Sequence, residues 1–317
     1  FGPGVVFAGS IQHWLATQPM PENIDVVVGG PPCQGFSTLG KQHEEDLRND
    51  LWRQYAEAIT RVQPKYFIVE NVAAFEKSKQ FRQFIEATQP GGFLEEYTFQ
   101  HRILNAADFG APQARKRAVL IGHLRTLDFP GFPDSTHAPE ATENLKRYMW
   151  VEDALLGVPG EPDRDEVFGA KLTEFEGRRF AGAFSTRDLH WSRTYSELSK
   201  RRFKAIPEGG NRFDINTEDL APCWIKHRTG SADVMGRLRS DRPSVTIRTE
   251  FFKPEKGRYL HPTKDRAITH YEAALLQGFP ETHHFVGSKT AIARQIGNAV
   301  PIPLGAAIGR QLARSFR

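Results

Sequence analysis

The chain has 317 residues with a mean hydropathy of −0.49, long enough to bury a large α/β core and a smaller partner domain. No apolar run approaches the roughly 18 residues of a membrane-crossing helix, so a soluble, cytoplasmic protein with no membrane partner is expected. Lys and Arg number 42 against 38 acidic residues, and the excess is regional: residues 171–250 hold 16 basic and 11 acidic side chains, a local surplus that fits either a solvated surface or a nucleic-acid face. The two cysteines, Cys33 and Cys223, have neither close spacing nor a His/Cys cluster around them. A disulfide framework and a metal site are therefore not expected, and the compartment should be reducing.

In chain order, the first predicted element is a strand over "VVFAG" (5–9), and the opening on Phe within a Gly/Pro turn reads as an interior point of a longer protein. Next come "DVVVGG" (25–30) and then "GGPPCQGFS" (29–37), where Cys33 follows a buried strand through a rigid Gly-Gly-Pro-Pro turn. In "DLRNDLWRQYAEAITRVQP" the residues Leu47, Leu51, Trp52, Tyr55, Ile59 and Val62 recur at three- and four-residue steps until Pro64, which predicts an amphipathic helix. "YFIVEN" (66–71) is a further strand. Strand, helix, strand implies a right-handed crossover with parallel strands, and their C-terminal ends share the sheet edge where open α/β sheets bind ligands.

That crossover brings Cys33 and Glu70 to one cleft. A thiolate there can attack an electrophilic carbon, and a carboxyl beside it can hold or protonate a ring nitrogen. The plainer readings are a small buried hydrophobe for Cys33 and a helix cap for Glu70, with Asn71 able to cap instead. In "QARKR", Gln113, Arg115 and Arg117 alternate ahead of the strand "RAVLIGHL" (117–124), and period-two spacing predicts one shared face on the rim of the site. Residues 123–241 lack strong periodicity and read as an irregular second domain. "THYEAALLQGFP" predicts a helix with a Thr269–Glu272 capping box and a stop at Gly278 and Pro280. In "RQIGNAVP", Gly297 and Asn298 predict a tight turn, and "PLGAAIGRQLARSF" predicts a terminal helix.

"GGPPCQGFS", "ENV" (70–72), "NAADFGAPQARKRAVLIG" (from 105), "HPTKDRAITHYEAALLQGFP" (from 261) and "RQIGNAVP" (from 294) together resemble the DNA cytosine-5 methyltransferase family, bacterial type, in that family's linear order. The resemblance implies a Rossmann-like, S-adenosylmethionine-dependent methyltransferase domain with a smaller, irregular target-recognition domain. The implied boundaries are 1–122 (catalytic), 123–240 (target recognition) and 241–317 (return to the catalytic domain). It implies that Cys33 adds to carbon 6 of a flipped cytosine, and that Glu70 holds the ring nitrogen and amine. Arg115 and Arg117 would steady the base and the Cys33 loop. Gln34, Ser37 and Gln113 would contact DNA, and Pro31, Asn298 and Val300 would line the cofactor pocket. The family's Gly-Asp-Ile segment stands here as Gly9, Ser10, Ile11, with a hydroxyl where a carboxylate would face the adenine. Its Phe-x-Gly-x-Gly turn has no match in these residues, which leads to the expectation of about 50 to 80 further N-terminal residues.

The implied partners are duplex DNA and a cognate restriction endonuclease, with a monomer expected. For contacts to DNA the middle region offers Arg187, His190, Arg193, Arg201, Arg202, Arg212, Lys226 and Arg228. Two further readings stay open: a catalytically silent DNA-binding protein of the same fold, and an RNA cytosine methyltransferase.

Overall fold

The computed structural model describes residues 6–32, 51–162, 171–175, 177–226 and 229–316. They fall into two compact units, one built from 1–104, 116–132 and 311–317, the other from 105–115 and 133–310. No helix among the described residues is long and apolar enough to cross a membrane.

In the first unit, residues 6–9 form no strand, which corrects the expectation for "VVFAG". The chain folds back there, with Gly9 N donating to Phe7 O (3.1 Å), and Ser10 then caps α1 (Ile11–Thr17) by accepting from His13 N through Oγ. A small residue preceding an N-cap favours this turn over an extended segment. Strand β1 (Val26–Gly29) is followed by α2 (Leu51–Val62), β2 (Tyr66–Val72), α3 (Lys79–Ala87), β3 (Tyr97–Asn105) and β4 (Lys116–Leu124). Leu47 and the expected start of α2 lie outside the described residues.

The sheet order is β1-β2-β4-β3. β1 and β2 are parallel with Gly29 opposite Val69, as the crossover predicts, while β4 runs antiparallel to β2 with Glu70 opposite Val119 and Val72 opposite Arg117. Phe67, Val69, Ala118 and Leu120 share one sheet face and pack against Trp52, Tyr55 and Ile59 of α2 and Phe81 and Phe84 of α3. Removing a side chain such as Phe84, 1% exposed, would cost about 3–5 kcal/mol. This core holds the two strand ends in place.

The second unit is assembled from short pieces. β5 (His137–Ala138) pairs with β6 (Lys146–Arg147), and α4 (Val151–Ala154) follows. β7 (Leu172–Phe175) and β8 (Arg178–Ser185) make a hairpin, and β8 also pairs with a later strand. Next come α5 (Glu197–Ala205), α6 (Pro222–Lys226), β9 (Gly236–Arg237), β10 (Arg258–Leu260), α7 (His270–Leu276), β11 (His284–Val286), α8 (Lys289–Asn298) and α9 (Ile302–Ala313). β11 is the outer partner of β8, and α7 starts at the expected Thr269–Glu272 capping box.

So little regular structure leaves many carbonyls to satisfy, and buried arginines supply the donors. Arg237, 4% exposed, donates to the carbonyls of Phe203, Ile206, His261 and Lys264 and to Asp265 Oδ1, all within 2.6–2.8 Å. Arg266 forks onto both oxygens of the fully buried Glu272 at 2.7 and 2.8 Å.

Candidate active site

At the C-terminal ends of β1 and β2 each glycine has its own reason. The Tyr55 ring lies across Gly29 so closely that a Cβ there would stand 2.2 Å from Cε2, and the Tyr55 hydroxyl donates to both Val27 O (3.1 Å) and Ile68 O (2.8 Å). Burial pushes this phenol's pKa far up, so it stays a donor. A Cβ on Gly30 would stand 3.4 Å from Glu70 Oε2, which puts the backbone leading to Cys33 against the carboxylate.

Asn71 fixes the same junction. Its Nδ2 donates to Pro31 O at 2.9 Å while its Oδ1 accepts from Val72 N at 2.9 Å, so the carboxamide is held at both ends and tethers the turn that carries Pro31 to β2. Sequence reasoning treated Asn71 only as a cap. The signal available was its place in the strand-end tripeptide "ENV".

Glu70 and Arg117 are diagonal neighbours on one face of the β2–β4 pair, as their register requires. Arg117 Nε meets Glu70 Oε1 at 2.7 Å, with side chains 12% and 20% exposed. Burial lowers the guanidinium's pKa and the carboxylate opposes that shift, so each stabilises the other's charge at the sheet edge. The result is a carboxylate locked in one rotamer beside the turn that leads to a cysteine. Such a group can accept from an exocyclic amine or exchange a proton with a ring nitrogen. Cys33, Gln34, Ser37 and Arg228 lie outside the described residues.

Gln113 and Arg115 do not share that face, which is a correction. β4 begins only at Lys116, so period-two alternation does not extend back to them. Both belong to the second unit and are buried, at 0% and 3% exposure. Gln113 donates to Leu276 O and Gln277 Oε1 and accepts from Ile247 N. Arg115 donates to Ile247 O and Gly297 O, each at 2.9 Å. A rim position is thereby replaced by a scaffold position for both.

The expected turn at Gly297 and Asn298 is also corrected: both residues close α8. Gly297 is required because a Cβ would come 2.5 Å from Thr249 N. Asn298 is exposed at the helix end and Val300 half-buried.

Of the cationic candidates, His190 and Arg212 are buried and internally bonded, His190 to Thr269 Oγ1 and Pro159 O, Arg212 to Thr229 O. This replaces their expected DNA-facing position. Arg201 forks onto Asp219 and Arg202 donates to Asp219 O while lying over the Trp224 ring. Arg187 pairs with Glu281 but is 74% exposed. Arg193 lies over the Tyr195 ring (5.0 Å), and Lys226 is exposed at the end of α6.

For a methyl-donor cofactor, the residues named from the sequence fit a nucleoside ligand in kind. Ser10 is exposed with a hydroxyl proton still to donate, Ile11 and Pro31 are half-buried apolar surfaces, and Asn298 is an exposed carboxamide.

A family model described as C-5 cytosine-specific DNA methylase matches residues 9–314. The chain is 34% identical to Type II methyltransferase M.XorII of Xanthomonas oryzae pv. oryzae over 93% of its own length and 69% of that protein's. It is likewise 34% identical to Type II methyltransferase M1.HphI of Haemophilus parahaemolyticus, covering 90% of this chain and 67% of that one. Among solved structures, a prophage-encoded Escherichia coli protein described as a DNA modification methyltransferase superposes with a TM-score of 0.63 at 22% identity, covering 96% of this chain and 82% of that one, a likeness of fold. With its methyltransferase relatives and an α/β fold of their kind, this chain belongs to the C-5 cytosine-specific DNA methylase family.

Proposed function

We propose that the chain transfers a methyl group from S-adenosyl-L-methionine to carbon 5 of a cytosine flipped out of a short duplex DNA site, as the protective half of a restriction–modification pair. The observation that carries this reading is the junction of Gly30, Pro31, Asn71, Glu70 and Arg117: a carboxylate locked by a guanidinium, beside a tethered turn two residues ahead of Cys33.

The Cys33 thiolate adds to carbon 6, and the ring's electron pair moves onto carbon 5. Glu70 accepts from the exocyclic amine and supplies a proton at ring nitrogen 3, stabilising the resulting enamine. Arg117 keeps Glu70 in the rotamer that faces the base. Ser10, Ile11, Pro31, Asn298 and Val300 are the residues that would hold S-adenosylmethionine, which would supply an electrophilic methyl group. Loss of the carbon 5 proton to a base then expels Cys33 as thiolate, the nitrogen 3 proton returns to Glu70, and the aromatic ring is restored. Sulfur suits the task because it is both nucleophile and leaving group.

The test is labelled methyl transfer to duplex DNA, with bisulfite sequencing of DNA from expressing cells to identify base and site. Transfer that survives Cys33→Ser would overturn the mechanism. Ser10 favours a second reading, a silent DNA-binding protein, because it is a hydroxyl already capping α1. Calorimetry that detects no S-adenosylmethionine binding would select that reading.

A further inference from the structure

Arg212 is a buried cation with few partners. It is 7% exposed, yet among the described residues its side chain makes one hydrogen bond, from Nη2 to Thr229 O at 2.8 Å, and no ion pair, while Nε is buried without an acceptor. Arg237 and Arg266, buried to a similar degree, each meet a carboxylate, Asp265 and Glu272. The acidic side chains that follow Arg212 in sequence are engaged elsewhere: Asp214 accepts from Asn211 N, and Asp219 holds Arg201. A guanidinium taken out of water without a counter-charge costs the fold free energy, and it is the group an incoming anion would satisfy.

That guanidinium lines a cavity of about 310 Å³ whose other walls are Phe213, Ile215, Thr217, Leu220 and Trp224, all within the second unit. The walls are fixed in advance. Ile215 belongs to a buried cluster with Phe203, Ile206, Met235 and Leu260, against which Leu220 and Trp224 pack. Asn211 Oδ1 accepts from Phe213 N at 2.9 Å, and Arg212 stands over the Phe213 ring at 4.8 Å. The result is a largely apolar chamber with one cation and one hydroxyl in its lining, of a size that takes a small organic molecule. Phe213 is 51% exposed, apolar area that an occupant would cover.

We propose that this cavity binds a small organic monocarboxylate with a single apolar ring, its carboxylate on Arg212 and its ring against Phe213, Leu220 and Trp224. The occupant is argued from charge and chemistry. One buried cation calls for one negative charge, and the planar fork of a guanidinium matches a carboxylate. Apolar walls with Thr217 as their hydroxyl offer nothing to solvate a second charge, which sets dicarboxylates and phosphate esters aside. The proposal stands apart from methyl transfer and holds whatever the chain's reaction.

The experiment titrates the protein with phenylacetate, and separately with uncharged phenylacetamide, by calorimetry and saturation-transfer NMR. Phenylacetate should bind, with the amide roughly 10- to 100-fold weaker, and Arg212→Met should weaken phenylacetate to the same extent. Phe213→Ala removes wall rather than charge, so it should weaken acid and amide alike by about fivefold. That side chain is half exposed, so the variant keeps the fold and decides the matter if Arg212→Met does not fold. Equal binding of acid and amide, phenylacetate binding unchanged in Phe213→Ala, or no binding at millimolar phenylacetate overturns the proposal. So does displacement of phenylacetate by inorganic phosphate, which would mark Arg212 as a phosphate contact.

Discussion

Arg115 and Arg117 stand two residues apart in "QARKR" and do opposite work. Arg117 reaches diagonally across a strand pair to Glu70 and remains partly open to solvent, while Arg115 is sealed inside the second unit and holds two backbone carbonyls. One guanidinium fixes a carboxylate at the sheet edge; the other replaces secondary structure. Charge type and spacing do not separate these roles, whereas the partner does: a carboxylate at a sheet edge in one case, carbonyls of irregular backbone in the other.

The largest effect that would break this comparison lies on the site side. Glu70→Gln should lower methyl transfer by about 10²–10⁴-fold while leaving the melting temperature nearly unchanged, because the amide can still accept from Arg117. Second, Arg115→Met strands the carbonyls of Ile247 and Gly297 and should cost about 2–5 kcal/mol in urea unfolding, with turnover of the folded protein unchanged. A stable but inactive Arg115→Met would return Arg115 to the site.

A third test uses the buried charges of the scaffold. Burial lowers the pKa of His261 to about 4 despite Glu272 nearby, so the unfolded chain binds a proton there that the folded chain refuses. The corresponding stability is complete above about pH 6.5 and is lost as pH falls towards 4, by about 2–3 kcal/mol. For Glu272 burial raises the pKa, but Arg266 and His261 outweigh it and hold it below the usual range. Its contribution is present above the unfolded value near 4.3 and fades below that. Urea titrations between about pH 2 and 7 check both, and His261→Gln should flatten the upper part of the curve. The smallest expected effect is at the tether: Asn71→Ala should slow transfer about tenfold and cost about 1–2 kcal/mol, through lost placement of Pro31.

Much of the first unit was legible because its strands are Val/Ile runs ending in Gly or polar residues. In β2 and β4 residues of both faces are buried, a signal that needs no neighbour, whereas β1 was legible from its Val run although Val28 is 68% exposed. β3 escaped because "YTFQHRILN" is exposed through its middle, residues 100–103, and has no such run. "VVFAG" misled for the opposite reason: its apolar residues are real, but Gly9 and Ser10 turn the backbone into α1. The place of Glu70 at the sheet edge followed from topology alone, since parallel strands bring their ends together. Gln113 and Arg115 were misplaced because alternation holds only inside a strand, and nothing in "PQAR" announces that β4 starts one residue later. The role of Arg237 was invisible, since its acceptors are carbonyls of residues up to 34 positions away.

The Tyr55 hydroxyl has a consequence for how the ends of β1 and β2 are spaced. Because one phenol oxygen grips both strands and its ring occupies the space over Gly29, the two strand ends are gauged from a single fixed point on α2. The chain leaving β1 at Gly29 and the Glu70 carboxylate at the end of β2 are therefore both referred to the Tyr55 ring. A substitution at Gly29 or Tyr55 resets the spacing between the turn at Pro31 and the Glu70 carboxylate.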